Sequence, residues 1–253
     1  MDSKLVDLLK EVDTLKAKLS SLRPLPADAL KKIQDALDIE NTYESNRIEG
    51  NTLTLQETAL VVNEGITISG KSIREHLEAI NHAEAISYIK EVAQENIEIN
   101  QLTIKEIHAL VLRGIDKKNA GSYRCQPVMI SGSTHVPPQP YLLEKLMEDF
   151  MLEFHRMEKE QFHPVIIAAH LHDELVRIHP FIDGNGRTSR LLMNLYLLQH
   201  GYCIVTLKID NDMKLRYYNA LETSHTKHQH DDFYLLVAEA EKASLERYIS
   251  IIG

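Results

Sequence analysis

The stretch HPFIDGNGRTSR, residues 179–190, places a histidine, an aspartate, two glycines and two arginines within twelve positions. The apolar pattern before it predicts a helix, and Pro180 ends that helix because the residue before a proline is pushed out of helical geometry. Between this helix and the next, Gly184, Asn185 and Gly186 form a loop that can adopt positive φ angles. Successive backbone N–H groups in such a loop can point inward at a helix N-terminus and bind an anion, above all a phosphate.

The charged residues of the same stretch fit a phosphate ligand. Arg187 and Arg190 lie on the first turn of the following helix, where the helix dipole disfavours cations unless an anion compensates them. Asp183 offers an oxygen ligand of the kind that holds Mg²⁺ beside phosphates. His179 is a candidate general base near neutral pH. Each of these residues alone has an ordinary structural explanation, but their combination in this order favours a polyphosphate site.

The composition sets limits on fold and partners. The 253 residues could form one large domain or two small ones, and no linker indicates two. The net charge of -9 argues against a nucleic acid as the main ligand. No segment reaches the roughly 18 apolar residues of a membrane span, and the N-terminus lacks the apolar run of a signal peptide. Cys125 and Cys203 show no metal-ligand spacing, so reduced thiols in a cytoplasm are expected.

Apolar residues recur at helical spacing nearly everywhere, which predicts an all-α fold. The first stripe runs from Leu5 to Leu22 and is either a core face or a coiled-coil seam, and the core face is favoured over so short a length. Prolines after it break the helix. Further helices are predicted over residues 28–48, 54–64, 71–94, 103–113, 141–157, 163–177, 187–200, 211–223 and 231–248.

One region differs from this pattern. Between residues 121 and 140 the period drops to two around Val128 and Ile130, a Gly-Ser pair follows at 132–133, and prolines close the segment. This pattern predicts a β-hairpin projecting from the helical body. Its exposed edge would suit a partner that adds an extended strand.

Three other groups of polar residues are candidates for function. Ser45 and Glu49 are four apart and therefore share a helix face. Tyr217 and Tyr218 could form the wall of an adenine pocket, although tyrosines at this spacing are as often half-buried core. The histidines of SHTKHQHDD, residues 224–232, fit no common metal-ligand spacing and indicate a polar loop.

The pattern His-Pro-Phe-x-x-Gly-Asn-Gly-Arg-x-x-Arg, residues 179–190, resembles the signature motif of Fic-domain proteins. The similarity extends to residues 121–138, which resemble the target-docking flap of that family, and to residues 46–54, which resemble its N-terminal segment. The resemblance implies an all-α helical bundle with a small β-hairpin flap. We expect an N-terminal helical region over residues 1–95 and a catalytic core over residues 96–253, packed as one unit.

The resemblance also implies an activity, the transfer of AMP from ATP to a hydroxyl group of a protein with Mg²⁺ as the metal. In that reading His179 takes the proton of the hydroxyl, and Asp183 holds the metal. The backbone at 184–186 forms the anion hole. Arg187 contacts the β-phosphate region, and Arg190 contacts the γ-phosphate. The target would carry a Ser, Thr or Tyr hydroxyl and could be a second copy of the chain, so a homodimer is also an option.

The stretch SNRIEG, residues 45–50, resembles the inhibitory motif of Fic proteins that are regulated from their own N-terminus. The resemblance implies that Glu49 pairs with Arg190 and occupies the place of the γ-phosphate. Three alternatives stay open beside AMP transfer. The same site could remove AMP with Glu49 orienting a water, it could transfer another nucleotide or phosphate group, or the chain could be a non-catalytic nucleotide sensor.

Overall fold

A computed structural model describes residues 2–22, 27–208 and 210–252. Over these residues the chain forms α-helices and one short 3-10 helix at Pro140–Leu142, and no residue in them is in a strand. The helices are α1 (Ser3–Ser21), α2 (Ala27–Ile48), α3 (Leu55–Glu64), α4 (Ile73–Gln94), α5 (Gln101–Val111), α6 (Leu143–Lys159), α7 (Pro164–Ile178), α8 (Asn185–Gln199), α9 (Asn211–Lys227) and α10 (Asp231–Ile252).

The helix pair α3 and α4 begins at well-defined sites in the sequence. Thr54 accepts a hydrogen bond from the N–H of Glu57, whose carboxylate accepts one from the N–H of Thr54. Ser72 and Glu75 form the same reciprocal arrangement at the start of α4. Two otherwise unpaired donors are satisfied at each helix start, which fixes where the helix begins. Both helices also pack against α2.

The centre of the core is the pair α7 and α8, which pack against each other. α7 is buried along most of its length, and Phe181, in the loop that follows it, is fully buried. α1 packs against α10, and the N-terminal stripe lies in the core through Leu5, Leu9, Val12 and Leu19. One hydrophobic cluster includes buried residues from both ends of the chain. The loop between α7 and α8 is therefore supported on a rigid base.

The structure does not show the predicted hairpin, because residues 121–139 form a loop without strands. Pro127 and Pro137 have no N–H to donate to a strand ladder. Arg124 crosslinks the two ends of the segment instead, with Nη1 donating to the carbonyl oxygen of Gln126 at 3.0 Å and Nη2 to that of Pro138 at 2.6 Å. The buried guanidinium group of Arg124 thus holds the two ends of the segment together, which strand pairing was expected to do.

No helix in the described part of the chain is long and apolar enough to cross a membrane. The division at residue 95 into an N-terminal region and a core stays a prediction.

Candidate active site

The loop between α7 and α8 is held by side chains from within and from α5. The amide of Asn185 donates to the carbonyl oxygen of Phe181 at 2.9 Å and accepts from its N–H at 3.0 Å. The ring of His108 stacks on that of Phe181 with centroids 3.6 Å apart, and its Nε2 donates to the carbonyl oxygen of Asp183 at 2.9 Å. The side chain of the buried residue Asn185 therefore shapes the loop, while the predicted contact of its backbone with an anion stays a prediction.

The N-terminus of α8 carries no side-chain cap. Its N-cap is Gly184, which has a φ of 77°, a left-handed conformation that glycine adopts without strain. The N–H groups of the first turn, at residues 185–187, have no partner within the helix by geometry. Uncapped N–H groups at the positive end of a helix dipole form a site for an anion.

The structure explains the glycine at position 186 differently from the sequence. Gly186 lies inside α8 and is not among the residues of positive φ. A Cβ atom added to Gly186 would lie 2.4 Å from Oε1 of Glu49 and 3.3 Å from its Cδ. A side chain at position 186 would therefore collide with the carboxylate of Glu49, so this glycine is needed for close approach and not for a turn.

His179 follows the last residue of α7 and adopts a left-handed conformation with a φ of 51°. Its Nδ1 lies 3.2 Å from the carbonyl oxygen of Val176, which can only accept, so Nδ1 carries the proton. Burial lowers the pKa of His179 to about 4, so the ring is neutral near pH 7. Nε2 of the neutral ring then has a lone pair that can accept a proton.

Arg124 fixes the backbone at His179. Its side-chain Nε donates to the carbonyl oxygen of His179 at 2.8 Å. Its backbone N–H donates to the carbonyl oxygen of Pro180 at 2.9 Å. The same guanidinium group holds both ends of the 121–138 segment, as described above. The candidate base and the segment beside it are therefore tied to one buried cation.

Asp183 lies among positive groups. Its Oδ1 accepts from the N–H of Gly184 at 2.6 Å and from Nη2 of Arg187 at 3.2 Å, and its Oδ2 pairs with Nη2 of Arg74 on α4. Burial raises the pKa of Asp183, but the charges of Arg187 and Arg74 and the Gly184 N–H outweigh it, and the pKa lies below its usual value. The carboxylate is therefore ionised at neutral pH.

The donor set around Asp183 suits a metal that arrives with phosphates. No group of three or more His, Cys, Asp or Glu side chains in the described residues could hold a metal ion by itself. Asp183 contributes a hard carboxylate oxygen at the loop that precedes the uncapped N–H groups of α8, and its side chain is 40% exposed. Mg²⁺ is usually bound through one or two carboxylates together with substrate phosphates and water. The residues present fit such an ion.

The two arginines of α8 are both buried and both paired. Arg187 is 2% exposed and lies 3.4 Å from Oε1 of Glu78 on α4 in addition to its contact with Asp183. Arg190 is 5% exposed, and its Nη2 donates to Oε1 of Glu49 at 2.7 Å. Its Nε donates to the hydroxyl oxygen of Ser45 at 2.9 Å, and Nη2 also donates to the Ser45 carbonyl oxygen at 2.9 Å.

The two tyrosines predicted to line an adenine pocket differ in their burial and in their contacts. Tyr217 is 2% exposed, and its hydroxyl group contacts Nη1 of Arg190 at 3.4 Å and Nε2 of His172 at 3.0 Å. Tyr217 is thus a core residue that supports Arg190. Tyr218 is 44% exposed and donates to the carbonyl oxygen of Ile48 at the end of α2. Of the two, only Tyr218 presents a ring to solvent beside the site.

In the 121–139 loop the two residues predicted to dock the target, Val128 and Ile130, are less exposed than the residue between them. Val128 and Ile130 are half-buried, whereas Met129 is 90% exposed.

The polar loop predicted at residues 224–232 is partly helical. His225 and His230 both contact the buried carboxylate of Asp173 on α7, at 2.9 Å each. These histidines therefore have structural partners in the core.

Several residues of the site could not be found from the sequence. Arg74, Glu78, His108 and Arg124 lie far along the chain from residues 179–190 and belong to no motif. The spacing of Arg74 and Glu78, four apart on one helix, indicates only an ion pair along that helix. Contacts between α4 or α5 and the 179–190 loop depend on tertiary packing, which this spacing does not report.

A family model described as the Fic/DOC family matches residues 98–197. The chain is 35% identical over 241 residues to Protein adenylyltransferase Fic of Drosophila persimilis and 36% identical to that of Drosophila grimshawi. The first alignment covers 95% of this chain and 46% of the relative, and the second covers 95% and 49%. The chain thus spans about half the length of the curated relatives it matches.

Solved structures agree with this similarity. Fic-1 of C. elegans, residues 134–508, superimposes with a TM-score of 0.86 at 31% identity, over 97% of this chain and 72% of that one. A Fic domain containing signaling protein of Bacteroides thetaiotaomicron superimposes with a TM-score of 0.84 at 29% identity, over 96% of each chain. The motif, its loop geometry and these two likenesses lead to one conclusion: the chain belongs to the Fic/DOC family.

Proposed function

We propose that this protein transfers AMP from ATP to a hydroxyl side chain of a protein. The observation that carries the proposal is the neutral ring of His179 at the mouth of an uncapped helix N-terminus, beside Asp183 and the arginines of α8. This arrangement offers a base and an anion site in one loop. The relatives named Protein adenylyltransferase Fic support it.

Each residue has a role in this reaction. Nε2 of His179 takes the proton of the incoming hydroxyl, whose oxygen attacks the α-phosphorus in line, and pyrophosphate leaves. The N–H groups at 185–187 stabilise the negative charge on the phosphates. Arg187 supports the β-phosphate region and orients Asp183, which would hold Mg²⁺. When bound, the ion neutralises charge on the phosphates.

Glu49 would regulate this site. Its carboxylate engages Arg190 at 2.7 Å and lies over Gly186, the position where the γ-phosphate of ATP would be expected. One guanidinium N–H cannot serve both the carboxylate and a phosphate. The protein is therefore autoinhibited in this conformation, and release of the end of α2 would activate it.

The segment 121–138 is the proposed docking surface for the target. Arg124 connects it to His179, and Met129 projects from it into solvent. An extended segment of the target with a Ser, Thr or Tyr hydroxyl would lie along it. A second copy of the chain is one candidate target, so self-labelling is the first activity to measure.

The test follows the label of ATP. With α-labelled ATP the protein should become labelled, and with γ-labelled ATP it should not. Replacing His179 by Ala should lower the labelling rate by about 10² to 10⁴ and leave nucleotide affinity within a few-fold. Because His179 has a positive φ, His179→Asn is the better-folded version of the same test, since asparagine tolerates this conformation. His155→Gln, at an exposed histidine of α6, serves as the control. Label from γ-labelled ATP on the protein would refute AMP transfer.

Removal of AMP is a second candidate, and one observation favours it. The carboxylate of Glu49 lies over Gly186 in the first turn of α8, so a second acid–base group is present at the site that contains His179. In that reaction Glu49 would orient a water for attack. Release of AMP from a labelled protein by the parent, and its loss in Glu49→Gly, would show it. A pure nucleotide sensor would show neither labelling nor release.

A further inference from the structure

Arg74 lies in the first turn of α4, two residues after the N-cap Ser72. Its Nη2 pairs with Oδ2 of Asp183, and its Nε donates to Oε1 of Glu78 at 3.1 Å. It is the second arginine on Asp183, because Arg187 contacts the other carboxylate oxygen at 3.2 Å. The proposed metal ligand is therefore covered by two cations of the chain itself.

These contacts use the oxygen that a metal ion would need. Oδ1 of Asp183 already accepts from the Gly184 N–H at 2.6 Å and from Arg187. The guanidinium group of Arg74 lies against the other oxygen, Oδ2. A divalent cation bound there would meet a like charge at contact distance, which is unfavourable. Arg74 and the ion therefore exclude each other.

Arg74 differs from Arg187 in its freedom to leave. The Arg74 side chain is 56% exposed, whereas that of Arg187 is 2% exposed. On release Arg74 can keep its contact with Glu78, four residues along the same helix. Glu78 in any case keeps Arg187 at 3.4 Å and the amide of Asn51 at 3.0 Å. Moving Arg74 into solvent thus leaves no carboxylate unpaired at the site.

We propose that Arg74 competes with the divalent cation for Asp183 and so sets the cation concentration at which the site fills. This inference rests on the proposed function, because it assigns Asp183 as the metal ligand. It adds a regulatory role for a residue outside the 179–190 motif. Glu49 occupies the proposed phosphate-binding residue Arg190, and Arg74 occupies the proposed metal ligand Asp183. Both substrate-binding groups are thus paired with side chains of this chain.

The test measures Mn²⁺ binding by electron paramagnetic resonance, with Mn²⁺ alone as the probe and no turnover. Asp183→Asn defines binding that does not involve Asp183. Arg74→Gln should bind Mn²⁺ about two- to fivefold more tightly than the parent, the effect expected for removal of a largely exposed ion pair. Arg74→Lys keeps the positive charge and should stay near the parent.

Arg113→Gln is the matched control. Arg113 is 54% exposed and pairs with Glu84, which lies on α4 like Arg74 but does not contact Asp183. This variant removes one surface cation just after the end of α5, paired with a carboxylate of α4, and should leave the Mn²⁺ affinity unchanged. An equal gain in Arg113→Gln would mean that general charge, and not Arg74, controls binding.

The titration is repeated with ATP in the Glu49→Gly background, where phosphates supply further oxygen ligands. Equal affinity of Arg74→Gln and its parent in both titrations would overturn the inference, and so would an absence of Asp183-dependent binding in both. The outcome is separate from that of the labelling experiment. Label from α-labelled ATP with no Arg74 effect defeats only this inference, whereas an Arg74 effect without labelling defeats only the proposed transfer.

Discussion

All three nitrogens of the Arg190 guanidinium group have partners, which come from the end of α2, from Glu49 just after it, and from α9. Ser45 takes Nε and shares Nη2 with Glu49, and Tyr217 takes Nη1 at 3.4 Å. Arg190 is 5% exposed, so water cannot replace a lost partner easily. A phosphate that approaches Arg190 must therefore displace Glu49.

Replacing Glu49 by Gly should increase productive ATP binding and self-labelling from α-labelled ATP by about 10- to 100-fold. The reason is that a charge-assisted hydrogen bond contributes about 1.5 to 3 kcal/mol, and about 1.4 kcal/mol corresponds to a factor of ten. The measurement is the initial rate of labelling together with nucleotide affinity. Glu64→Gly, at the exposed end of α3, is the control.

The double variant Glu49→Gly with Arg190→Ala tests whether the two residues act on one contact. It should lose the gain of the single variant, because residues in one ion pair are not additive. Parent protein that labels as fast as Glu49→Gly would rule out autoinhibition and leave the role of His179 standing.

At this scale the sequence was most informative where the site residues are consecutive. His179, Asp183, Arg187 and Arg190 lie in one motif, and the structure brings them together around one loop. The sequence could not show that Asn185 acts through its side chain or that Gly186 is there for Glu49. Those facts depend on which side chains meet across the fold, and residue type alone does not decide it.

Helix positions were predicted well because apolar residues recur at helical spacing along most of the chain. The segment predicted at 71–94 is observed at Ile73–Gln94, and the one predicted at 211–223 extends to Lys227. The β-hairpin predicted at 121–140 is the element that the structure does not show. Alternation of apolar residues over so few positions is a weak signal, and the prolines and Arg124 organise the segment as a loop.

The loop at 121–138 has an anchor on α9. Glu222 accepts from the N–H of Thr134 at 2.9 Å and from the hydroxyl groups of Ser133 and Thr134. His135 extends the contact, since its ring lies 5.1 Å from that of His225 on the same helix. One carboxylate of α9 thus fixes the position of the proposed docking segment.

Glu222→Gln should loosen this segment without unfolding the protein. A glutamine offers one acceptor oxygen in place of the carboxylate, so the Thr134 amide should exchange its hydrogen about fivefold faster, at about 1 kcal/mol for a partly exposed hydrogen bond. Hydrogen exchange followed by mass spectrometry on peptides covering 126–138 measures it. Target or self-labelling should fall more than nucleotide affinity.

Asp212→Asn, at an exposed residue in the first turn of α9, is the control for Glu222. It changes a carboxylate of the same helix that does not contact the segment. Unchanged exchange in Glu222→Gln would show that Arg124 alone holds the loop.

At the scale of the whole molecule, the core contains histidines that are neutral in the folded state. Burial lowers the pKa of His82 and His172 to about 3 and that of His108 to about 4. In the unfolded chain these rings take up a proton near pH 6.5. Between pH 6.5 and about 4 the unfolded state therefore binds more protons than the folded state, and stability is lost as pH falls.

His230 affects stability in the opposite direction. Its hydrogen bond to Asp173 raises its pKa, so its contribution is fully present below pH 6.5 and is lost as pH rises through the raised value. It does not offset the loss from the buried histidines at acidic pH. The protein should be most stable near neutral pH.

Urea unfolding at pH 7 and pH 5 should show a fall in the free energy of unfolding of several kcal/mol, since each buried histidine contributes up to about 1.4 kcal/mol per pH unit. His82→Phe removes one of these rings and should reduce the pH slope by about that amount. His155→Gln, at an exposed position, should leave the slope as it is. A His82→Phe protein with the slope of the parent would contradict the assignment.

The contact between Glu49 and Gly186 limits the order in which this sequence can change during evolution. A Cβ atom at position 186 meets the Glu49 carboxylate at 2.4 Å, so alanine there is disfavoured while glutamate stays at position 49. Once residue 49 has become small, that collision is gone, and the nearest of the remaining contacts of a Cβ atom at 186 is Nη1 of Arg190 at 3.1 Å. The two positions are therefore epistatic: the same two substitutions are accessible in one order and blocked in the other. A lineage that has lost the glutamate and filled position 186 could not regain it in a single step.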